Sequence, residues 1–449
     1  MANAKTSEAN LPLVDDGLTE AVLQAEQRFI TTHPKSKAQV EAAAQSMPGG
    51  NTRSVLYYSP FPLTFVKGEG SRLTDIDGIT YVNLLGEYTA GIYGHSHPVI
   101  AEAITAALAD GLNLTGHNLL ESQLAAAVCK RFPSIDLVRF TNSGTEANLM
   151  AIGLAKAFTR RPKVLVFRGG YHGGVLSFFY PGSPLNAPHD YLLGEYNDVL
   201  GARKLFDAHG QDIAAVVVEP MLGSGGCIAG SSEFLSMLRD ETKRTGSVLI
   251  FDEVMTSRLT PGGLQEKLGL HADLTTLGKY IGGGGSIGAF GGRAEIMSLF
   301  DPRRKDALQH AGTFNNNVIS MAAGLAGLTQ IYTPEAAEAL NARGDSLRNA
   351  LNALCRKRKV GLQFTGIGSL MCAHGTSSPV TTLADALASP PLVRDLLFLH
   401  LIEHGYYIAK RGFLAVSLAV TEEEIQGFVA AVDQFIDRYI DCLPVASAA

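Results

Sequence analysis

Four short segments between residues 136 and 254, "DLVRFT", "PKVLVFRG", "IAAVVVEP" and "SVLIFDEV", are separated by stretches whose apolar residues recur at helical spacing. Runs such as "AAVVV" and "VLIF" carry no polar face. A strand of that kind cannot border water on either side, so it belongs inside a parallel sheet covered by helices. Strands and helices that alternate in this way from about residue 98 onward require a large α/β domain. In open sheets of this class ligands gather at the carboxyl ends of the strands. The residues that follow each segment are therefore the first candidates for a site.

The chain has 449 residues, more than the roughly 100–200 usual for one domain, which predicts more than one unit. Residues 1–17 are polar and acidic and read as disordered. Residues 18–74 form an N-terminal segment. Its helical periodicity breaks at Pro34 and ends at Pro48-Gly49-Gly50. Apolar and polar residues then alternate around Gly70 and Asp77-Gly78, the pattern of short antiparallel strands with a tight turn. The large domain is expected over 75–330 and a smaller α+β domain over 331–449. The latter opens with a long helix through "PEAAEALNARGDSLRNALNALCRKRK" and ends with strand "LAVSLAV" and helix "TEEEIQGFVAAVDQFIDRYI".

Hydrophobic residues at 46% against 18% charged supply ample material for a large core, and a net charge of −6 gives no basic surface for nucleic acid or an anionic membrane. No apolar run reaches the roughly 18 residues that span a bilayer. The start lacks the basic stretch and apolar core of a signal peptide. Cys129, Cys227, Cys355, Cys372 and Cys442 are odd in number, widely spaced and contain no CxxC pair. Such cysteines fit neither a structural zinc site nor a disulfide framework, and they suit a reducing compartment. A cytoplasmic enzyme without a metal is the expectation.

Five places carry chemistry. "VRFTNSGTEANLMA" runs from strand through turn to helix, with Ser143, Gly144 and Thr145 at the first helical turn. Free N–H groups there form an anion site, although a plain N-cap has the same sequence. "VLVFRGGYHGG" places Tyr171 among glycines at a strand end, where a ring can stack on a planar ligand or simply pack on the loop. Asp252 closes the apolar strand "VLIFD", and Glu219 closes "AAVVVE" in the same way. A carboxylate so placed needs a cation or a hydrogen-bond donor. Lys279 follows 27 residues after Asp252, ahead of Gly282, Gly283, Gly284 and Gly285. An amine, a strand-end acid, an anion-binding helix and an aromatic cover are together what pyridoxal phosphate requires.

In these motifs the chain resembles the fold-type I pyridoxal-phosphate transferases, in the class III aminotransferase and glutamate-1-semialdehyde aminomutase group. The resemblance spans roughly residues 40 to 440. It rests on "PGGNTRSVLYYSPFPL", "NSGTEANLMA", "GGYHGG", "VVVEP", "FDEVMTSR", "TTLGKYIGGG" and "GTFNNNVISMAAG". Within the group it is most similar to bacterial β-amino-acid (β-phenylalanine) aminotransferases, through "EYTAGIYGHS", "NLTGHNLLE", "TLGKYIGGG" and "GTFNNNV". The resemblance implies a mainly parallel seven-stranded sheet between helices, plus a smaller α+β domain built from both ends of the chain. It makes Lys279 the Schiff-base lysine and Asp252 the partner of the pyridine nitrogen. Ser143, Gly144 and Thr145 would hold the phosphate. Tyr171 and Val254 would flank the ring, with Glu219 and Met255 completing the cofactor's surroundings. Thr313 would reach the phosphate of a neighbouring subunit, which implies a homodimer with shared sites.

By the same resemblance Arg53 and Arg411 are carboxylate-binding arginines on opposite sides of the cofactor, with Val55 and Tyr88 lining the pockets. Two clamps suit a ping-pong exchange between a β-amino acid and 2-oxoglutarate or pyruvate, whose carboxylates sit at different distances from the reacting carbon. The chain departs from the aminotransferase pattern "GGGMxFGAFGG" by reading "GGGGSIGAFGG", with Gly285 and Ile287, which implies a larger pocket. An aminomutase is the alternative. It would carry an acidic "FEAGF"-like stretch where this chain has "KRGF". A nucleotide-binding role for the glycine-rich loop lacks the acidic ribose partner of the dinucleotide fingerprint.

Overall fold

The computed structural model describes residues 16–446. Residues 1–15 of the stretch read as disordered lie outside that range. Asp16 and Gly17 do not belong to such a tail, because they open the helix Asp16–Thr32. Leu18, Val22, Ala25 and Phe29 form its buried stripe, so the helix is held by packing from its first turn. Pro34 ends one helix and, as the first residue of Pro34–Ala43, begins the next.

Strands β1 (Phe65–Glu69), β2 (Arg72–Asp75) and β3 (Thr80–Asn83) follow as an antiparallel meander. The expected boundary after residue 74 falls inside β2. Because β2 pairs with β3, the N-terminal segment continues through Asn83.

The large sheet contains β4 (Leu137–Thr141), β5 (Lys163–Phe167), β6 (Asp190–Gly194) and β7 (Ile213–Val218). A hairpin, β8 (Met221–Leu222) and β9 (Ile228–Ala229), leaves the sheet, and β10 (Val248–Asp252), β11 (Leu274–Gly278) and β12 (Gly288–Gly292) complete it. Its order is β4-β12-β11-β10-β7-β5-β6. Only β12 runs antiparallel. The sequence pattern missed β12, "GAFGG", because it has little side chain to show. A Cβ on Gly288 would lie 2.0 Å from the Ser143 carbonyl oxygen, so glycine lets this strand pass close behind the Ser143 turn. Alternate residues of the central strands enter separate cores. Leu165, Val216, Leu249 and Phe251 meet Phe206 and Phe234, whereas Val164, Val217, Val248 and Ile250 meet Ala147, Ala151 and Leu154. Both faces are covered by helices, which is why these strands have no polar side.

The chain leaves the large sheet through the helix Val318–Ala326 and a π-helical turn, Gly327–Ile331. The expected boundary after residue 330 falls within that turn, and Thr333, the cap of helix Pro334–Arg358, is the physical break. β13 (Gln363–Ile367), β14 (Leu370–His374), β15 (Tyr406–Tyr407) and β16 (Phe413–Ala415) follow. β13, β14 and β16 form one antiparallel sheet. The strand expected over "LAVSLAV" ends at Ala415, since the Leu418 N–H turns away to the Ile92 carbonyl. β15 pairs in parallel with β3, so the two ends of the chain share the sheet β1-β2-β3-β15. No helix among the described residues is long and apolar enough to cross a membrane. Cys129, Cys227, Cys355 and Cys372 are in no disulfide.

Candidate active site

Asp252 ends β10 with its carboxylate buried. Its Oδ2 accepts from Asn148 Nδ2 at 2.9 Å and lies 2.8 Å from His172 Nδ1, while Oδ1 accepts from the Val254 N–H at 3.0 Å. As an acceptor-only group, the carboxylate fixes Nδ1 as the protonated nitrogen of His172. Burial by itself would pull His172 down, but the hydrogen bond and charge of Asp252 hold it above its ordinary pKa.

Asn148 is the joint of the site. One turn into the helix Gly144–Thr159, its Nδ2 also faces the Gly144 and His172 carbonyls, both at 3.1 Å, and its Oδ1 accepts from Thr276 Oγ1 at 2.8 Å. One amide thus ties the helix Gly144–Thr159, the "GGYHGG" turn, β10 and β11 together. Neither Asn148 nor His172 was singled out from the sequence. Their signal was position: Asn148 follows Gly144 by four residues, and His172 adjoins Tyr171.

Ser143 caps the helix Gly144–Thr159, and its hydroxyl accepts from the Glu146 N–H. A Cβ on Gly144 would lie 2.9 Å from Val254 Cγ2, and one on Gly173 only 2.2 Å from Thr145 Oγ1. The helix start, Val254 and the Tyr171 turn are therefore in contact. The Tyr171 ring is exposed, while its N–H donates at 3.0 Å to Glu219, which also accepts from Gly223 at 2.9 Å. Burial raises the Glu219 carboxyl, and the nearby Asp252 charge adds to that. Met255 packs its sulfur against Gly223 beside Glu219.

Lys279 follows β11 directly, with a left-handed φ of 57°. Its Nζ donates to the Tyr88 carbonyl at 2.6 Å. Desolvation lowers its pKa to about 8, and the charges of Arg411 and Arg53 push the same way against Asp252 and Glu219. The glycines behind it have another purpose than open room for a ligand. A Cβ on Gly283 would lie 2.3 Å from the Ala323 carbonyl, one on Gly282 2.6 Å from Ile287, and one on Gly285 2.7 Å from Ser320. They let the lysine loop pack against the helix Val318–Ala326, and only Gly284 faces open space. A side chain at Gly285 would meet Ser320, and the buried Ile287 packs against Gly282.

Tyr88 connects the amine to both predicted arginines. Its ring stacks on Phe413 at 5.7 Å, and the Arg411 guanidinium lies 5.3 Å from the Tyr88 ring centre. Its hydroxyl donates to the Val55 carbonyl at 3.1 Å, two residues from Arg53. Arg411 donates to the Ser224 carbonyl at 2.8 Å. Arg53 is ion-paired with Glu87, an exposed residue that the sequence reading did not single out. Val55, Tyr88 and Arg411 line one cavity of about 390 Å³. Thr313 stands apart on an exposed loop, whose Asn315 accepts from Asn142 Nδ2 at 3.0 Å. No cluster of metal-ligating side chains occurs among the described residues.

The sequence model of "Aminotransferase class-III" matches residues 56–180 and 185–436. The chain belongs to the class-III aminotransferases. It is 54% identical over 430 residues to the "Beta-phenylalanine transaminase" of Variovorax paradoxus, covering 96% of this chain and 99% of that protein. The crystal structure of a beta-phenylalanine aminotransferase from Variovorax paradoxus superposes with a TM-score of 0.94 at 54% identity, over 96% of this chain and 100% of that one. A "Glutamate-1-semialdehyde 2,1-aminomutase 2" of Brevibacillus brevis is 37% identical over 425 residues, covering 90% of this chain and 99% of that protein. As a class-III aminotransferase the chain has the fold-type I architecture, and the seven-stranded sheet matches that expectation.

Proposed function

We propose that this aminotransferase takes the amino group of a β-amino acid, such as an aromatic 3-amino acid, and passes it to 2-oxoglutarate or pyruvate. The arrangement around Tyr88 carries the reading. Its carbonyl holds the Lys279 amine, its ring lies against Arg411, and its hydroxyl meets the strand of chain that bears Arg53. An amine that feels the charges of two guanidinium groups suits two acids that bind in turn. The 54% identity to a β-phenylalanine transaminase supports the same donor class.

Pyridoxal phosphate is the cofactor of this enzyme class, and the residues present fit it. Gly144 leaves a cradle at a capped helix start, Asp252 offers a buried acceptor at a strand end, and Lys279 is an amine with a lowered pKa. When bound, the cofactor supplies an aldehyde for amine capture and a ring that draws electrons from the substrate carbon. In our reading Ser143, Gly144 and Thr145 hold its phosphate through free N–H groups and hydroxyls. Asp252 accepts the ring N–H, and His172 and Asn148 orient Asp252. Tyr171 and Val254 flank the ring, with Glu219 and Met255 behind the Tyr171 turn. Lys279 would supply the amine that links to the cofactor and would move a proton at the substrate carbon.

Thr313 is assigned to the phosphate of a second subunit's site. Leu112, Leu114, Leu119 and Phe314 are exposed around its loop, and Asn118 Nδ2 braces that loop through the Asn316 carbonyl at 2.9 Å. An apolar surface of this kind supports a homodimer. The thiols of Cys129, Cys227, Cys355 and Cys372, in no disulfide, agree with a cytoplasmic protein.

The test is a panel of β-amino acids with 2-oxoglutarate and with pyruvate, followed as keto product together with glutamate or alanine. Products that form only with an added acceptor support aminotransfer. Isomerised amine without acceptor would mean an aminomutase, and inert β-amino acids would end the donor assignment.

A further inference from the structure

The cavity that Tyr88 and Arg411 help to line holds more positive charge than one carboxylate clamp requires. Tyr88 and Arg411 form its inner end, and Tyr57, Tyr407 and Val55 contribute apolar walls. Arg394, Asp395 and Lys410 also line it. Lys410 is occupied: its Nζ donates to the Ser59 carbonyl at 3.0 Å and lies 3.5 Å from Asp395. Arg411 donates to Ser224. Arg394, in the first turns of helix Pro391–Glu403, has no carboxylate within ion-pair distance among the described residues. Asp395 faces the same space, but its nearer cation is Lys410.

A half-buried guanidinium without an acid, at the end of a cavity with tyrosine walls, is incomplete by itself. Planar anions are its preferred partners. A volume of about 390 Å³ exceeds what one small carboxylate needs, so the ligand group must arrive on a side chain or chain end.

We propose that Arg394 forms a subsite for a second carboxylate, carried by the substrate at the end remote from the carbon that Lys279 serves. The inference rests on the β-amino-acid reading above and adds to it a site for the far carboxylate of a diacid. Two substrates could bring that group: a donor with an acidic side chain, or the dicarboxylic acceptor 2-oxoglutarate.

The experiment compares kcat/KM in the holoenzyme for two pairs. One pair is 3-amino-3-(4-carboxyphenyl)propanoate against 3-amino-3-phenylpropanoate, and the other is 2-oxoglutarate against pyruvate. A charge-assisted bond predicts a preference of roughly tenfold or more for the diacid in at least one pair. Arg394→Met should abolish that preference, and Arg394→Lys should keep part of it. The pair that responds identifies the source of the carboxylate. Ratios that Arg394→Met leaves unchanged in both pairs, or wild-type enzyme without a diacid preference, would overturn the subsite. If neither β-amino acid yields keto product, the donor reading has failed instead, and the acceptor pair still tests Arg394 with any donor that works.

Discussion

Lys279 ends its side chain on the backbone of Tyr88, with Nζ 2.6 Å from the carbonyl oxygen. That carbonyl faces the amine because the chain turns left-handed there. Gly86, Glu87, Tyr88 and Thr89 have φ of 55°, 50°, 50° and 84°. Three of them carry side chains, and such positions cost on the order of 1 kcal/mol or more each. The surroundings hold them in place. Asn83 Oδ1 accepts from the Leu85 and Gly86 N–H groups at 3.0 and 3.1 Å, Tyr88 is hydrogen-bonded to Val55, and Glu87 is paired with Arg53. Strain held this firmly beside the Lys279 amine fixes the amine's acceptor.

The first prediction concerns that amine. With its pKa lowered to about 8, Lys279 should be mostly neutral by pH 9, where an ordinary lysine at 10.5 is still charged. Cofactor-free protein should therefore capture pyridoxal phosphate with a pH midpoint near 8, followed by the visible absorbance of the linked cofactor. The sign for stability follows. Between about 8 and 10.5 the folded apoprotein binds fewer protons at this site than the unfolded chain, so this contribution makes stability rise with pH. Lys279→Met should remove both the capture and the slope in urea midpoints. A capture midpoint near 10 would contradict the burial argument.

Asp252 and His172 give the second prediction. Burial pulls His172 down, and it stands above 6.5 because Asp252, with a smaller contribution from Glu219, outweighs that burial. Asp252→Asn should therefore drop His172 below 6.5, which NMR titration of the apoprotein reads directly. In wild type, the raised pKa stabilises the fold fully below 6.5 and loses that effect as pH rises through the folded value. His172→Gln should flatten that part of the pH–stability curve. Asp252→Asn should also slow single-turnover amine transfer roughly a hundredfold or more. An unmoved His172 would mean that Asp252 does not hold its proton.

Much of this site was legible because strand ends and loop motifs are local. Asp252, Glu219 and Lys279 each follow an apolar strand, and the sheet brings those ends together whatever lies between. Asn148 was not legible in that way. It lies inside a helix, and only the packing of three other elements around it gives it four polar neighbours. Glycines misled the reading for a related reason. "GGGG" has the same letters whether it yields to a ligand or to a helix, and the contact with Ala323 lies 40 residues away in the chain. β15 was missed because two residues give no periodicity. Its identity comes from pairing with β3.

The third prediction concerns Arg258, a fully buried arginine beneath the site. It donates to the Val416 carbonyl and, at 3.5 Å, to the Thr89 carbonyl, with Tyr93, Tyr280 and Tyr332 around it. No acid pairs with it among the described residues. Replacing it with methionine removes a costly buried charge but leaves carbonyls unpaired, terms of opposite sign and a few kcal/mol each. Arg258→Met should thus change the unfolding midpoint little, yet loosen the turn at residues 86–89. We expect kcat to fall about tenfold or more while the apoprotein's circular dichroism is unchanged. A large stability loss with normal kcat would show that Arg258 supports the fold alone.

Assembly gives the fourth. If Thr313 completes a second subunit's phosphate site, dilution should release cofactor and activity together. Thr313→Val should weaken cofactor retention by roughly tenfold, the loss of about one hydrogen bond to a charged group. Sedimentation with absorbance detection follows mass and cofactor at once. A cofactor-loaded, active monomer would refute the shared site.

The fifth prediction separates the two arginines. Arg53 is already paired with Glu87, and both side chains are about half exposed, at 44% and 57%. A donor carboxylate that binds Arg53 exchanges one carboxylate for another, and exposed pairs of this kind contribute only about 0–1 kcal/mol. Arg411 is held by a neutral carbonyl and packed between Tyr88 and Phe413 at 5.3 and 5.4 Å. A keto-acid carboxylate there gains a charge-assisted bond that the free site lacks, worth roughly 1.5–3 kcal/mol. Arg411→Ala should therefore cost the 2-oxoglutarate half-reaction about ten- to a hundredfold in specificity constant. Arg53→Ala should cost the β-amino-acid half-reaction less, about tenfold at most. Glu87→Gln, which frees Arg53 from its internal partner, should raise the donor's specificity constant. Single-turnover half-reactions on the three variants decide the matter. Equal damage to both half-reactions from either arginine would mean that one clamp serves both acids, and a donor that binds worse after Glu87→Gln would mean that the Arg53–Glu87 pair shapes the pocket instead of competing with its ligand.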